Sequence, residues 1–287
     1  MSRRNNRKRE GVVGAILALP DGILTLCCFA VPLVVIVLYS FWKIDLTTFT
    51  VTTDWNLGNY GDIFKSIYLQ ALLRSILITL ATVVGCLLLG LPIAYFIASC
   101  KGKLQLLMIG AIVIPFWTSF VVRTYAWLEL LGAHGVITQA LVHMHLVADG
   151  TDLRYSTTAV IIGMVYSYLP MMILPVYSTF EQLDQSLLEA AADLGKTPSQ
   201  AFFQIVMPSC GGGIVAGSLL VAIPALGEYT IPAILGGSKT LMIGNVIASE
   251  FQTTGNYPRG AALSSVLMVA VLLIIIGKQI MQWRKVR

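Results

Sequence analysis

Six stretches of this chain are apolar for about as long as a helix needs to cross a bilayer. They are Gly22–Trp42, Ile76–Ala98, Leu104–Val122, Thr157–Phe180, Ser209–Gly227 and Gly260–Gly277, and none contains Asp, Glu, Lys or Arg. Hydrocarbon offers backbone N–H and C=O groups no partner, so each run is expected to pair its own groups as a helix. The fold class is therefore an all-α polytopic membrane protein with six transmembrane helices. Extended to their flanks, the spans cover about 22–42, 70–98, 104–123, 157–180, 209–232 and 260–281. Composition agrees: 56% of the 287 residues are hydrophobic and 11% charged, where a soluble domain carries about 25% charged residues. A net charge of +5 concentrated near the chain ends is a poor basis for binding nucleic acid. Five cysteines at 27, 28, 86, 100 and 210 give neither a disulfide framework nor a metal spacing.

Arg3, Arg4, Arg7, Lys8 and Arg9 precede the first run as they would in a signal peptide. That run is longer than an h-region of about 7–15 residues, and no clear cleavage site follows, so it reads as a retained anchor. Residues 1–21 form a basic tail, and 22–287 a single transmembrane domain. With the N-terminus cytoplasmic, the inner segments hold those five cations, Lys101, Lys103, Lys196, Lys278, Arg284, Lys285 and Arg287, twelve of nineteen in all. The bias places both termini inside and makes 181–208 a cytoplasmic loop. Loops 43–67, 124–156 and 235–259 then face outward. Two of them carry short helical patterns, at 134–147 and 239–251. His134, His143 and His145 have no carboxylate or thiol completing a set, so no metal site is expected. "GGSKT" (236–240) lacks the G-x4-G-K-[ST] spacing of a phosphate loop and reads as a turn.

The loop "EAAADLGKTPSQAFFQIVMP" (189–208) is the one long charged interruption. Leu187, Ala190, Ala191 and Leu194 fall on one helical stripe. Gly195 occupies the position where a left-handed residue ends a helix. Thr197, Pro198 and Gln200 form a capping-box pattern for a second helix. Phe202, Ile205 and Val206 give that helix an apolar face, and Pro208 is expected to close it. Two such short helices are unstable alone and need packing partners.

This segment resembles the EAA loop of ABC-importer permeases: Glu189-Ala190-Ala191, then Gly195, then Ile205, Met207 and Pro208, with Met207 where the pattern has leucine. Six spans, inward termini and the loop between spans four and five are similar to that family as well. The resemblance implies a type I ABC importer permease fold in a bacterial inner membrane. It implies that 181–208 is a coupling loop seated on a cytoplasmic ATPase, through Glu189, Ala190, Ala191, Gly195, Ile205 and Pro208. The chain itself would be a non-catalytic subunit without a cofactor, with ATP and Mg²⁺ at the partner. The implied partners are a second, similar permease subunit, two copies of the ATPase, an extracytoplasmic solute-binding protein and the lipid bilayer.

The blocks "PFWTSFVVRTYAWLELL" (115–131), "LEAAADLG" and "IPALGEYTIPAILGGSKTLMIGNVIASEF" (223–251) resemble permease subunits of spermidine/putrescine importers. That resemblance implies polyamine cargo; related importers for other cationic or small organic solutes share parts of the same blocks. An ionisable residue at a membrane span is costly and marks a functional candidate. Glu228, between Pro224 and Pro232, is the best one, beside Tyr229. A carboxylate next to aromatic rings suits an ammonium group. Trp117, Tyr125 and Tyr168 supply further rings and Glu129 further charge, as do Phe116, Trp127 and Glu250. Three readings of Glu228 stand side by side: a substrate contact, a structural partner of Arg123, or an interfacial carboxylate. The aromatic residues are equally consistent with an interfacial belt. An ion-coupled carrier and a scaffold protein are the other function classes. The first requires inverted repeats, and no convincing one is present in the sequence.

Overall fold

The computed structural model describes residues 2–45, 48, 50–183, 186–238 and 240–285, with side chains from Leu19 onward except at 21, 188, 189, 192, 198, 278, 279 and 281–285. The side chains of the basic residues of the N-terminal tail and of Glu189, Lys278, Arg284 and Lys285, and the whole of Arg287, thus lie outside what is described. The chain divides into two compact units, 66–246 and 1–65 with 247–287.

The unit 66–246 is built around α7 (Thr157–Glu181), against which α3 (Ser66–Ser99) and α11 (Gly211–Leu226) pack. The burial of α7 follows from its neighbours: 61% of its most apolar window is buried, against 33% for α3. Met164, Met172, Ile173 and Val176 of α7 meet Ile78, Cys86 and Ala94 of α3 and Val221 and Ala225 of α11. In lipid the hydrophobic effect adds little between helices, so van der Waals fit and close approach carry the packing. Gly85 faces Val165, and Gly217 lies so near Met172 that an added Cβ would stand 2.9 Å from its sulfur. Pro92, Pro170, Pro175 and Pro224 lie inside these helices without ending them. Hydroxyls cover neighbouring carbonyls, as where Ser178 donates to Pro175 O at 2.8 Å and Thr179 to Val176 O at 2.7 Å.

Two apolar runs in this unit are not straight helices. The run expected as one span over 104–123 divides into α4 (Lys103–Val113), a 3-10 turn (Ile114–Trp117) and α5 (Phe120–Leu130), with a 97° bend between the two helical arms. Pro115 cannot donate to the preceding turn, and Thr118 is extended (φ −83°, ψ 154°) with its hydroxyl on Pro115 O at 2.6 Å. In the run 209–232, α11 stops at Gly227. The chain turns helical again at Thr230 and continues through a π-helical turn, Pro232–Gly236. Among the described residues four helices are long and apolar enough to cross a membrane, and up to six segments if each bent pair is one span.

The same unit holds α6 (Val136–His143), α8 (Ser186–Asp193) and α9 (Pro198–Ala201), then a π-helical turn (Phe202–Val206) and α10 (Met207–Ser209). The unit boundary falls within α12 (Ile243–Gln252). The helices α6 and α12 occupy the two loop stretches with helical patterns.

In the other unit, α1 (Ser2–Ser40) packs on α13 (Tyr257–Lys285). A hairpin of β1 (Lys43–Asp45) and β2 (Thr50–Thr52) pairs Ile44 with Val51, and α2 (Gly58–Asp62) follows. Asn59 of α2 donates to Ser40 O at 2.9 Å and Trp42 O at 2.8 Å, fixing the end of α1. Arg259 reaches Asp62 at 3.3 Å and Glu250 at 3.7 Å, and Asp62 also holds Lys65 at 2.8 Å. Glu250 is only 6% exposed. It is part of this ion cluster, not free negative charge at a mouth, because a carboxylate removed from water needs a cation beside it.

Candidate functional site: a bent span and a capped loop

The break after α11 is organised around Glu228. Its Oε1 accepts from Thr230 N at 2.8 Å and Ile231 N at 3.3 Å, and its Oε2 accepts from the Tyr168 hydroxyl at 2.5 Å. The carboxylate therefore caps the helical segment that restarts behind it, satisfying N–H groups that no preceding turn can reach. Tyr168 comes from the middle of α7 and is 6% exposed, so its ring is core and only its hydroxyl serves the site. Glu228 itself is partly exposed and Tyr229 beside it is exposed. The Tyr229 carbonyl accepts from Asn245 Nδ2 at 2.8 Å, and Asn245 Oδ1 accepts from Met242 N at 3.2 Å. A side chain on Gly244 would stand 2.7 Å from Glu228 O, so the start of α12 lies directly against the break.

The reading of Glu228 as a partner of Arg123 does not hold. The Arg123 guanidinium lies 4.4 Å from the centroid of Phe116 and 5.9 Å from that of Phe120. Its Nε and Nη1 are buried without a hydrogen-bond partner among the described residues. Glu228 instead finds its donors in backbone N–H groups and Tyr168, which are fixed in place by the break.

The other proposed path residues do not converge on Glu228. Trp117, at the bend between α4 and α5, is 86% exposed, and Tyr125 on α5 is also exposed. Glu129, exposed on the same helix, adds its charge to the environment of Arg154. Arg154 itself grips Asp152 with Nη2 at 2.7 Å from Oδ2, which holds the Asp152 carboxyl below its usual range and lifts the Arg154 guanidinium above its own. Among the described residues no three His, Cys, Asp or Glu side chains form a metal-binding group. His143, His145 and Asp149 line an open hollow of about 650 Å³.

The loop 186–209 has the local geometry its sequence specifies. Gly195 has φ +75°, and Lys196 N donates to Ala191 O at 3.0 Å across the helix end. Thr197 N donates to Gln200 Oε1 at 3.1 Å and Gln200 N to Thr197 Oγ1 at 3.4 Å, both halves of a capping box. The apolar stripe of α8 is split. Ala191 is buried, whereas Ala190, Leu187 and Leu194 are exposed, Leu194 at 80%. Pro208 does not close the second helix, which runs on to Ser209 and bends by 67° into α11. The wider π-helical turn Phe202–Val206 lies just before it. Ile205 is half-buried and Pro208 exposed. Beneath the loop, Phe202 meets Tyr95 edge-on at 5.1 Å, and Tyr95 meets Phe180 at 5.7 Å. Sequence reasoning marked Phe202 as apolar. It missed Tyr95, Phe180, Gly244, Asn245 and Ser75, whose hydroxyl accepts from Ile243 N at 2.7 Å; their roles depend on partners that local pattern does not show.

Residues 90–283 match the family described as "Binding-protein-dependent transport system inner membrane component". The spermidine/putrescine transport system permease protein PotB of Salmonella typhimurium is 36% identical over 99% of this chain and 96% of that protein. PotB of Haemophilus influenzae is 40% identical over 76% of this chain and 77% of its own. Among solved structures, a bacterial ABC transporter involved in the import of the acidic polysaccharide alginate superposes with a TM-score of 0.68 at 19% identity, covering 99% of both chains. The MetNI methionine ABC transporter gives 0.54 at 17% identity, covering 75% of this chain and 94% of that one. At these identities the two structures speak for the fold alone.

Proposed function

The chain belongs to the family of binding-protein-dependent transport system inner membrane components, as a multi-pass protein of the bacterial inner membrane, and from that premise we propose that it forms part of the path by which an ABC importer takes up polyamines. The observation that carries the cargo is the 36% identity, over 99% of the chain, to a spermidine/putrescine permease. Glu228 supports it: a partly exposed carboxylate, fixed by three donors, with the exposed Tyr229 next to it in the chain. Such a pair attracts an ammonium group through charge and through the ring face.

The chain hydrolyses nothing. ATP and Mg²⁺ act at two copies of a cytoplasmic ATPase, which grips the loop 181–208 at Glu189, Ala190, Ala191, Gly195, Ile205 and Pro208. A second, similar permease subunit completes the path, and a solute-binding protein delivers the cargo. Both termini face the cytoplasm. ATP-driven closure of the ATPase moves the loop, and the helices rock so that the path opens to one side and then the other.

The test is spermidine uptake by the reconstituted complex carrying Glu228→Gln. The variant retains an acceptor for Thr230 and Ile231 but loses the charge, so KM should rise about tenfold, the order expected when a charge-assisted contact is lost. Wild-type kinetics would remove Glu228 from the path. Should the cognate binding protein ignore every polyamine in a panel and bind another solute tightly, the cargo would be that solute.

A further inference from the structure

The loop 186–209 could pass a displacement to the membrane helices by two routes. One is along the chain into α11, and the other is sideways into α3 and α7. The chain route is soft. It runs through Cys210 and a 67° bend into Gly211 and Gly212, where an added Cβ would meet nothing within 4 Å. Two consecutive glycines in open space resist rotation poorly.

The sideways route is packed. Phe202, in the π-helical turn of the loop, lies at 77° to the Tyr95 ring with centroids 5.1 Å apart. Tyr95, near the end of α3, lies at 83° to Phe180 of α7 at 5.7 Å. Phe180, Ala201 and Val206 are buried and Phe202 is half-buried, while Tyr95 between the two rings is 37% exposed. Edge-to-face rings at these distances are in contact, so the link rests on the ring pairs themselves and on the buried Phe180 at their inner end. The end of α7 is further tied to α4, where Gln105 Nε2 donates to the Tyr177 hydroxyl at 2.9 Å.

We propose that the ring chain Phe202–Tyr95–Phe180 is the joint through which the loop moves α3 and α7, with α11, packed on α7 at Gly213 and Gly217, following α7 and the glycines after Cys210 serving as the hinge between loop and α11. Tyr95 and Phe202 are thus positioning residues for transport, and the proposal rests on the reading of 181–208 as the ATPase-coupling loop.

The test uses the full complex in proteoliposomes, reading ATP hydrolysis, spermidine uptake and ATPase co-purification together. Tyr95→Leu and Phe202→Met remove one ring each while keeping apolar bulk. Each should leave the ATPase bound and hydrolysing but lower uptake per ATP by about threefold or more, the range a ring pair commands. Tyr95→Phe keeps the ring and should hold uptake per ATP at the wild-type value; a loss here as large as in Tyr95→Leu would overturn the ring-contact argument. Unchanged uptake per ATP in both ring-removal variants would overturn it too. Gly195→Val separates the two ideas. If it uncouples while the ring variants do not, only the joint fails. If it also leaves binding and uptake untouched, the coupling-loop reading itself fails. Should Tyr95→Leu not assemble, Phe202→Met decides alone, since its flexible side chain fills most of the same volume.

Discussion

Glu228 divides its two oxygens among three donors, two of them backbone N–H groups of the segment that restarts behind it. A capping carboxylate at a break in a span is pinned by the same atoms that make the break tolerable. In the role proposed for it, its position is thereby defined before any cargo arrives, which lowers the ordering cost of binding. Tyr168→Phe tests the division of labour. It deletes one hydrogen bond to a charged group, so the apparent melting temperature of the complex should fall by the equivalent of about 1.5–3 kcal/mol. The two backbone bonds remain, so the KM for spermidine should shift less than in Glu228→Gln. A larger shift would make the Tyr168 hydroxyl, not the charge, the recognition element. The carboxylate was legible in the sequence, because a lone acid at the end of an apolar run stands out. Its tyrosine was not: sixty residues and a different helix separate the two, and many rings in the chain had equal claim.

Among the elements, the loop was the most legible. Helix ends are decided by residues within one turn, so Gly195 and the Thr197/Gln200 box could be placed from spacing alone. Thr197→Ala should cost the second helix about 1 kcal/mol, and amide exchange at Gln200 and Ala201 should quicken about fivefold. Unchanged exchange would mean that packing by Val206 and Phe202, not the cap, holds that helix. The third apolar run was the least legible. Its hydropathy is that of a continuous span, yet the chain turns by 97° near Thr118. Proline inside a membrane helix often does no more than kink it, as Pro92, Pro170 and Pro175 demonstrate here. What differs at Pro115 is an extended Thr118 whose N–H and hydroxyl both donate to Pro115 O, closing the turn there. Arg123 stacks on Phe116 across the bend, 4.4 Å from its centroid, a contact that hydropathy does not reveal.

At the scale of the whole molecule, charge bias makes one prediction. Single cysteines replacing Thr151 and Lys196, in a chain with its native cysteines removed, should label on opposite sides. A membrane-impermeant maleimide should reach position 151 in intact spheroplasts and position 196 only after permeabilisation. The reverse pattern would invert the orientation and detach the loop from any cytoplasmic ATPase. Hydropathy alone determined that this chain is a helical membrane protein, because lipid leaves the backbone no alternative to pairing with itself. Short-range capping rules determined the form of its loop. Tertiary structure decided what those rules could not reach: that α7 is the buried helix, that Glu228 faces Tyr168 and not Arg123, and that Phe202 rests on Tyr95. Each of these depends on which apolar face meets which. In a chain where nearly every face is apolar, composition ranks them alike, and only steric fit at glycines and rings separates them.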